Sequence, residues 1–349
     1  LGNNYTDAQI ATLKSNINAV RNSNSQNATY DPDHTLKSLY KYNSLNQLVS
    51  QLTPDGGETR FAYDPLGRIV ASQNAKQAVA ENVGGTLYEY FSYTRYDGLG
   101  RIFESGEMRV PNGVRDINSQ GKLITVSNST PVDVGTAFPA NISSYRREVN
   151  VTQYDELFDA TMVSKFENYA ANNTRNRITS IMTYDTYPVA LTGFNFATFY
   201  DYDEHENVKE ILQYNKGGGL PAAHQIKSIA YEYDLISGNV NKVYYEKGNP
   251  LEQFIHYYQY DSDNRIVSVK TSTDNRIWEN EATYSYYKHG PLARAVIGDK
   301  KVQGVDYAYT IHGWLKAVNG QGVLPANDIA KDGSTLNPLV AKDAFGFDI

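Results

Sequence analysis

Cysteine is absent from all 349 residues. No disulfide can staple this chain, no thiolate can act as nucleophile, and zinc sites built on sulfur are excluded. Exported bacterial proteins often lack cysteine, so the absence does not exclude export. No apolar run approaches the roughly 18 residues that mark a membrane helix. Lys and Arg total 32 against 39 Asp and Glu, and neither sign is gathered into a run. A net charge of −7 without a basic stripe argues against nucleic acid as a partner. No Gly-x-Ser-x-Gly is present. The chain opens at Leu1 without Met or signal peptide and stops in the apolar stretch 345–349, so both ends read as cut from something longer.

Tyrosine, by contrast, is abundant, at 29 residues. Residues 61–73 read FAYDPLGRIVASQ. Phe61 and Tyr63 share a face in an extended chain. Asp64 starts a turn by accepting backbone N–H groups, Pro65 pre-sets its φ, and Gly67 tolerates a positive φ. Ile69 and Val70 favour a return strand. The stretch is therefore a β-hairpin. It recurs at 40–49 (YKYNSLNQLV), 93–104 (YTRYDGLGRIFE), 200–209 (YDYDEHENVK, with Glu206 at the Gly position), 231–243, 258–267 (YQYDSDNRIV), 284–296 and 307–318, with a weaker copy starting at Gln153. The frame is aromatic-x-Tyr-Asp/Asn-x-x-Gly/Asn-x-apolar. Its second aromatics fall at 42, 63, 96, 154, 202, 233, 260, 286 and 309. Most spacings lie in the range of repeat architectures. The two widest, 96 to 154 and 154 to 202, are expected to hold degenerate copies or insertions.

The frame residues are structural candidates: Tyr63, Asp64, Gly67 and Arg68; Tyr96, Asp97, Gly100 and Arg101; Tyr202 and Asp203; Tyr233 and Asp234; Tyr260 and Asp261; Tyr286 and Gly290; Tyr309 and Gly313. The expected fold is all-β, an array of antiparallel hairpins forming a curved strip or partial shell, with one short N-terminal helix. Ile10, Leu13, Ile17 and Val20 form a helical stripe, and Thr6 with Gln9 fits a capping box, which predicts a helix over 7–21. The expected division is an N-terminal helix and linker at 1–29, a repeat region at 30–320 with an irregular insertion at 106–144, and a truncated, loop-rich tail at 321–349.

Other candidate chemistry has plainer readings. Lys216 precedes three glycines, the reverse of a phosphate loop, and reads as a loop tip. Asp261, Asp263 and Asn264 resemble the start of a calcium loop, but Ile266 and Ser272 occupy its Gly and Glu positions, which leaves a turn. Asp201, Asp203, Glu204, His205 and Glu206 read as a solvated turn. None of the six histidines (34, 205, 224, 256, 289, 312) has a zinc-like neighbour in sequence; His289 and His312 hold matching turn positions, where a structural hydrogen bond is expected. No catalytic residue, metal ligand or cofactor site is expected. The tyrosine rows are expected to pack the sheet, with sugar binding as the rival reading.

The segments Tyr63-Asp64-Pro65-Leu66-Gly67-Arg68-Ile69 and Tyr96-Asp97-Gly98-Leu99-Gly100-Arg101-Ile102 resemble the signature of the YD-repeat, or Rhs-repeat, family. The run from Tyr231 to Asn319 looks like the long Rhs proteins of Bacteroidetes-type bacteria, and the resemblance covers roughly 30–320, weakly through 106–190. It implies hairpins wound into a hollow shell. Such shells enclose a C-terminal toxin in polymorphic toxins and insecticidal toxin complexes, and teneurins use a similar one in adhesion. The family's self-cleaving Asp-Pro-x-Gly-Leu segment does not occur here; Asp31-Pro32 lacks its context and Asp64-Pro65 belongs to a turn. The expected role is a bacterial, secreted or cell-surface wall segment. Its partner would be the rest of its own polypeptide, meaning further repeats and a C-terminal cargo domain. The alternative is an exported adhesin or carbohydrate-binding module with a glycan or cell-surface partner. Edge strands are expected to stay exposed unless flanking chain covers them.

Overall fold

A computed structural model describes residues 6–23, 36–127, 129–132, 146–157, 159–186 and 191–349. Asp31-Pro32, His34 and the polar stretch 24–29 lie outside the described residues. The fold is mostly antiparallel β-sheet, with one long helix at the N-terminus. That helix, α1, spans Asp7–Ser23. Thr6 N–H donates to Gln9 Oε1 (2.8 Å) and Gln9 N–H donates to Thr6 Oγ1 (3.3 Å), which closes the capping box. Asp7 in the first turn and Arg21 in the last complement the helix dipole.

The chain divides into two compact units, Leu1–Thr152 with Met182–Asn195 and Gln153–Ile181 with Phe196–Ile349. The first carries β1 (Leu39–Tyr42), β2 (Leu48–Thr53), β3 (Gly57–Tyr63), β4 (Ile69–Gln73), β5 (Glu81–Val83), β6 (Thr86–Tyr96) and β7 (Ile102–Pro111). It also carries the short β8 (Arg115–Ile117), β9 (Leu123–Thr125) and β10 (Thr130–Pro131), and most of β11 (Arg146–Tyr154). Antiparallel pairing runs β1 to β2 to β3 to β4 to β6 to β7 to β11, with β5 on β6. β1 is exposed along its whole length.

β8, β9 and β10 form a separate small sheet laid on the first. Ile117 and Leu123 from it join Ala62, Val70, Ala71, Phe91, Tyr93, Met108 and Val110 in one buried core. Fully burying a side chain such as Phe91 or Met108 is worth about 1.5–3 kcal/mol. Contact is close at Gly121, whose φ is +69° and where a Cβ would lie 2.7 Å from Val49 Cγ1. Any larger residue there would push the layers apart.

The second unit carries β13 (Phe196–Tyr202), β14 (Val208–Asn215), β15 (Ile226–Tyr233), β16 (Val240–Tyr245), β17 (Phe254–Tyr260) and β18 (Ile266–Ser272). β19 (Glu279–Tyr286), β20 (Leu292–Ile297), β21 (Gln303–Tyr309), β22 (Leu315–Val318) and β23 (Phe347–Asp348) follow, while β12 (Ile178–Thr186) contributes residues to both units. From β13 to β23 each strand pairs antiparallel with the next in sequence. Ala230, Tyr244 and Ile255 form a buried cluster with Trp278 against it.

Candidate functional site

The feature that recurs along the chain is the hairpin turn. Asp64 N–H donates to the Arg68 carbonyl (2.9 Å), and Gly67 N–H donates back to the Asp64 carbonyl (3.0 Å). Asp64 Oδ1 accepts from the N–H groups of Leu66 and Arg68 (both 2.9 Å), and Oδ2 accepts from Arg68 Nε (2.7 Å). One carboxylate thus satisfies three donors, and the arginine four residues on neutralises it. Asp97 with Arg101 and Asp261 with Arg265 repeat every one of these bonds. In the Asp203 turn Asn207 replaces the arginine, and the Asp234 turn is one residue longer, closing on Asn239. Tyr287 and Thr310 open the last two turns on backbone bonds to Pro291 and Trp314.

The residue three past the opener has a positive φ at Gly67 (80°), Gly100 (84°), Glu206 (74°), Asn264 (59°), Gly290 (119°) and Gly313 (80°), and in the longer Asp234 turn the residue four past it does, Gly238 (73°). Each hairpin also carries a bulge at the frame tyrosine: the register shifts at Tyr63, Tyr96, Tyr202, Tyr233, Tyr260, Tyr286 and Tyr309.

The tyrosines link one hairpin to the one before it. The hydroxyls of Tyr63, Tyr96, Tyr202, Tyr233, Tyr260 and Tyr286 donate to the carbonyls of Leu48, Ile69, Ile178, Val208, Val240 and Ile266, at 2.7–2.9 Å. Every acceptor is the first apolar residue after the preceding turn. The arginine before it lies over the tyrosine ring: Arg68 over Tyr96 at 4.3 Å, Arg265 over Tyr286 at 4.5 Å, Arg177 over Tyr202 at 5.5 Å. Burial raises the pKa of these hydroxyls, so they remain neutral donors. Tyr309 meets Tyr287 edge-on at 6.3 Å instead.

One copy of the turn is only weakly marked in the sequence, and another is hidden in it. Asp155 N–H donates to the Arg177 carbonyl (3.0 Å) and Asp155 Oδ1 accepts from Asn176 N–H (2.5 Å), so the weak copy at Gln153 is a full turn opened by an insertion. The insertion carries α2 (Ala160–Val163), capped by Asp159, with Met162 and Phe166 buried. It is held by two buried acids: Ala170 N–H donates to Asp201 Oδ1 (3.0 Å) and Glu167 N–H to Glu210 Oε2 (2.9 Å). Asp201 is therefore not part of a solvated turn. It is fully buried on β13 and also accepts from Lys209 Nζ (3.1 Å). The hidden copy is Asn118 to Leu123, which joins β8 to β9. Asn118 N–H donates to the Lys122 carbonyl (3.0 Å) and Gly121 N–H to the Asn118 carbonyl (3.0 Å). Its Asn-x-x-Gly-Lys-Leu spacing was the available signal; the missing tyrosines concealed it.

Two histidines pack on tyrosine rings and a third faces a carboxylate. His289 stacks on Tyr287 at 5.3 Å, His256 on Tyr258 at 6.2 Å, and His224 Nδ1 lies 3.2 Å from Glu252. Lys216 lies over the Tyr214 ring at 4.8 Å.

Within the first unit a cavity of about 720 Å³ is lined by turn residues, among them Asn43, Leu45, Tyr63, Leu66, Arg68, Tyr96 and Gln120. Two of its charged groups are paired with acids: Arg68 with Asp64 (2.7 Å) and Arg95 with Glu104 (2.9 Å).

In the second unit the stretch after β22 folds back on the last hairpin. Four buried carboxylates, Asp306, Asp328, Asp332 and Asp343, gather around Arg294. Arg294 donates to Asp306 Oδ2 and to both oxygens of Asp332. A Cβ on Gly304 would lie 1.9 Å from Asp332 Oδ2, so only glycine leaves room for that pair. Burial, then the Asp328 carboxyl, pushes the Asp343 carboxyl up to about 7. Nothing in the local sequence pattern marks these four residues as neighbours.

No match is found among curated proteins. Among solved structures, the chain is similar to a crystal structure of TcdB2-TccC3-Cdc42 (13% identity, TM-score 0.46) over 86% of this chain and 12% of that one. A crystal structure of TcdB2-TccC3 is similar at 12% identity and a TM-score of 0.45, again over 86% and 12% of the two chains. A porin-like protein from Bacteroides uniformis is similar at 7% identity and a TM-score of 0.27, over 68% of this chain and 85% of that one. The chain thus spans a small part of the length of the first two. Residues 42–79 match the family described as RHS Repeat. That match covers the hairpins of Tyr42 and Tyr63, and the same turn, bulge and tyrosine bond recur through the second unit. Residues 42–79 thus carry an RHS repeat, and the later hairpins are built on the same turn and tyrosine bond.

Proposed function

We propose that this chain is a wall segment of a larger YD-repeat shell that encloses or presents another part of the same polypeptide, a C-terminal cargo domain of toxin type. The observation that carries the reading is the tyrosine-to-carbonyl bond that ties each hairpin to its predecessor. Such a bond adds hairpins by one repeated rule, so the strip can be extended by further repeats. Residues 30–320 form the wall in this reading, with 1–29 as a leading helix and linker and 321–349 as a tail. The frame residues act structurally: the Asp and Gly positions shape the turns and the tyrosines join them. The wall would lie outside the producing bacterium or on its surface, and it carries no catalysis of its own.

Limited proteolysis of the full-length parent protein, read by mass spectrometry, tests this. A C-terminal fragment that survives within the parent, yet is digested when made alone, is the expected result. Equal cutting in both settings overturns the reading.

A second reading, a glycan-binding surface module, is favoured by the 720 Å³ cavity with Tyr63 and Tyr96 in its lining. Titrating the chain with a broad glycan panel while following tyrosine fluorescence tests it; a flat response across the panel removes it.

A further inference from the structure

The carboxylate cluster after the last hairpin is short of positive charge. Asp306, Asp328, Asp332 and Asp343 are 4%, 4%, 1% and 6% exposed, and Arg294 is the cation paired within the group. Four buried carboxylates against one guanidinium leave a deficit that a folded protein does not tolerate without a counter-ion or protons. The guanidinium is committed to Asp306 and Asp332. Gln303 Nε2 donates to Asp343 Oδ1 (3.0 Å) and Asp332 N–H to Asp328 Oδ2 (2.8 Å). The other oxygens of that pair, Asp328 Oδ1 and Asp343 Oδ2, are buried with no donor from the rest of the protein, and the two carboxyls lie within hydrogen-bond reach of each other. An ionised carboxylate oxygen only accepts, so the pair calls for a shared proton or a cation.

The geometry suits a metal. One oxygen each from Asp306, Asp328 and Asp332 lies within 4.8 Å of the others. Three oxygens that close together can share one cation. The donor set is carboxylate oxygen throughout, with no imidazole or thiolate, so it selects a hard cation over zinc or copper. Arg294 donates to Asp306 Oδ2 and to both oxygens of Asp332, where it orients them as supporting groups around a metal commonly do.

We propose that Asp306, Asp328 and Asp332 bind one hard divalent cation such as calcium, with Asp343 as the supporting carboxylate beside Asp328, and that this ion fastens the tail to the final hairpin. Asp306 belongs to β21, and the other three to the stretch after β22. That stretch has little regular structure of its own: it is held by isolated bridges, the short β23, and bonds such as Ala341 N–H to the Lys301 carbonyl (3.1 Å). A calcium ion would supply a strong link between these segments. The inference stands apart from the wall reading and is unaffected if that reading fails.

The test uses the full chain, stripped with a chelator and then titrated with calcium chloride by calorimetry. The expected result is one ion per chain and a melting temperature several degrees higher with calcium than with chelator. Asp343→Asn and Asp328→Asn should each weaken binding by about tenfold or more, as loss of a ligand or its support does. Asp263→Asn, in an exposed turn, should leave binding unchanged. Tail protection is a second readout: hydrogen exchange over 326–345 should slow when calcium is added. Identical melting and exchange with calcium, magnesium and chelator would overturn the proposal. So would a stripped protein whose stability falls as pH rises through neutrality, with Asp343→Asn removing that fall and calcium having no effect. In that case the Asp328 and Asp343 pair holds a proton in place of the metal.

Discussion

Arg68 lies 4.3 Å over the ring of Tyr96, and the Tyr96 hydroxyl donates to the carbonyl of Ile69, the residue after that arginine, at 2.9 Å. Ring and hydroxyl therefore read two consecutive residues of the preceding hairpin. Arg265, Ile266 and Tyr286 repeat the arrangement in the second unit. The arginine also holds its own turn through Asp64, so turn closure and hairpin stacking share one side chain.

Removing the hydroxyl alone isolates half of this link. Tyr96→Phe is expected to cost about 1 kcal/mol, the usual net value of one hydrogen bond. A double-mutant cycle between Arg68→Ala and Tyr96→Leu should show a coupling of about 0.5–1 kcal/mol, as expected for a cation on an aromatic face. Urea denaturation of Tyr96→Phe and of the four proteins of the cycle measures both. Zero coupling would mean the ring contact contributes nothing.

The positive-φ position of each turn predicts opposite outcomes for two substitutions. Glu206 holds φ at +74°, where most repeats place glycine. Glu206→Gly is expected to stabilise the chain by about 0.5–1 kcal/mol, since the left-handed conformation strains any residue with a Cβ. The lost ion pair with Arg177 offsets little, because Glu206 is 74% exposed there. Gly67→Ala should destabilise by about 1–2 kcal/mol for the same reason. Thermal melting decides both signs.

The turn aspartates make the fold acid-sensitive. The Arg265 side chain, then its backbone N–H, hold the Asp261 carboxyl below the usual carboxylate range, and the N–H and hydroxyl of Ser237 do the same for Asp234. A carboxyl with a depressed folded pKa contributes stability above its unfolded pKa and loses it as pH falls through the folded value. Stability of the native chain should therefore drop as pH is lowered below about 4, the ordinary range for Asp. Asp261→Asn should be less stable at neutral pH and show a shallower acid slope. An unchanged slope would assign the acid loss to other groups.

Glu104 is the buried junction of the first unit. It is 3% exposed and accepts from the Tyr93 hydroxyl (2.7 Å), Arg95 Nη1 (2.9 Å) and Arg146 Nη1 (2.5 Å). Glu104→Ala removes the acceptor shared by three donors on β6 and β11. The expected loss is about 3–5 kcal/mol, the range for breaking a buried pair from one side. Tyr93→Phe should cost far less, about 1 kcal/mol. Chemical denaturation compares the two; equal losses would show that the charge matters no more than the hydroxyl.

Much of this structure was legible without coordinates. The hairpins, the helix with its Thr6–Gln9 capping box and the turn at Asp261 follow from needs satisfied within a few residues. Backbone N–H groups need an acceptor at a set spacing, a positive φ needs glycine or asparagine, and strands need alternation. The bulge at each tyrosine and the destination of its hydroxyl were not legible, because both depend on the neighbouring hairpin.

The residues that misled did so for one reason. Asp201 reads as surface charge, yet it is buried because an insertion some thirty residues upstream brings the N–H of Ala170 to it (3.0 Å). Asn118 to Leu123 lacks the tyrosines because its hairpin lies on another sheet and does not continue the strip. Asp306, Asp328, Asp332 and Asp343 look like scattered acids until the tail folds back over β20 and β21. The sequence by itself determined where this chain turns and how each hairpin closes, since those bonds are local. Only the tertiary structure decided which buried charges meet, since that depends on segments distant in sequence being pressed together by the apolar surface they bury.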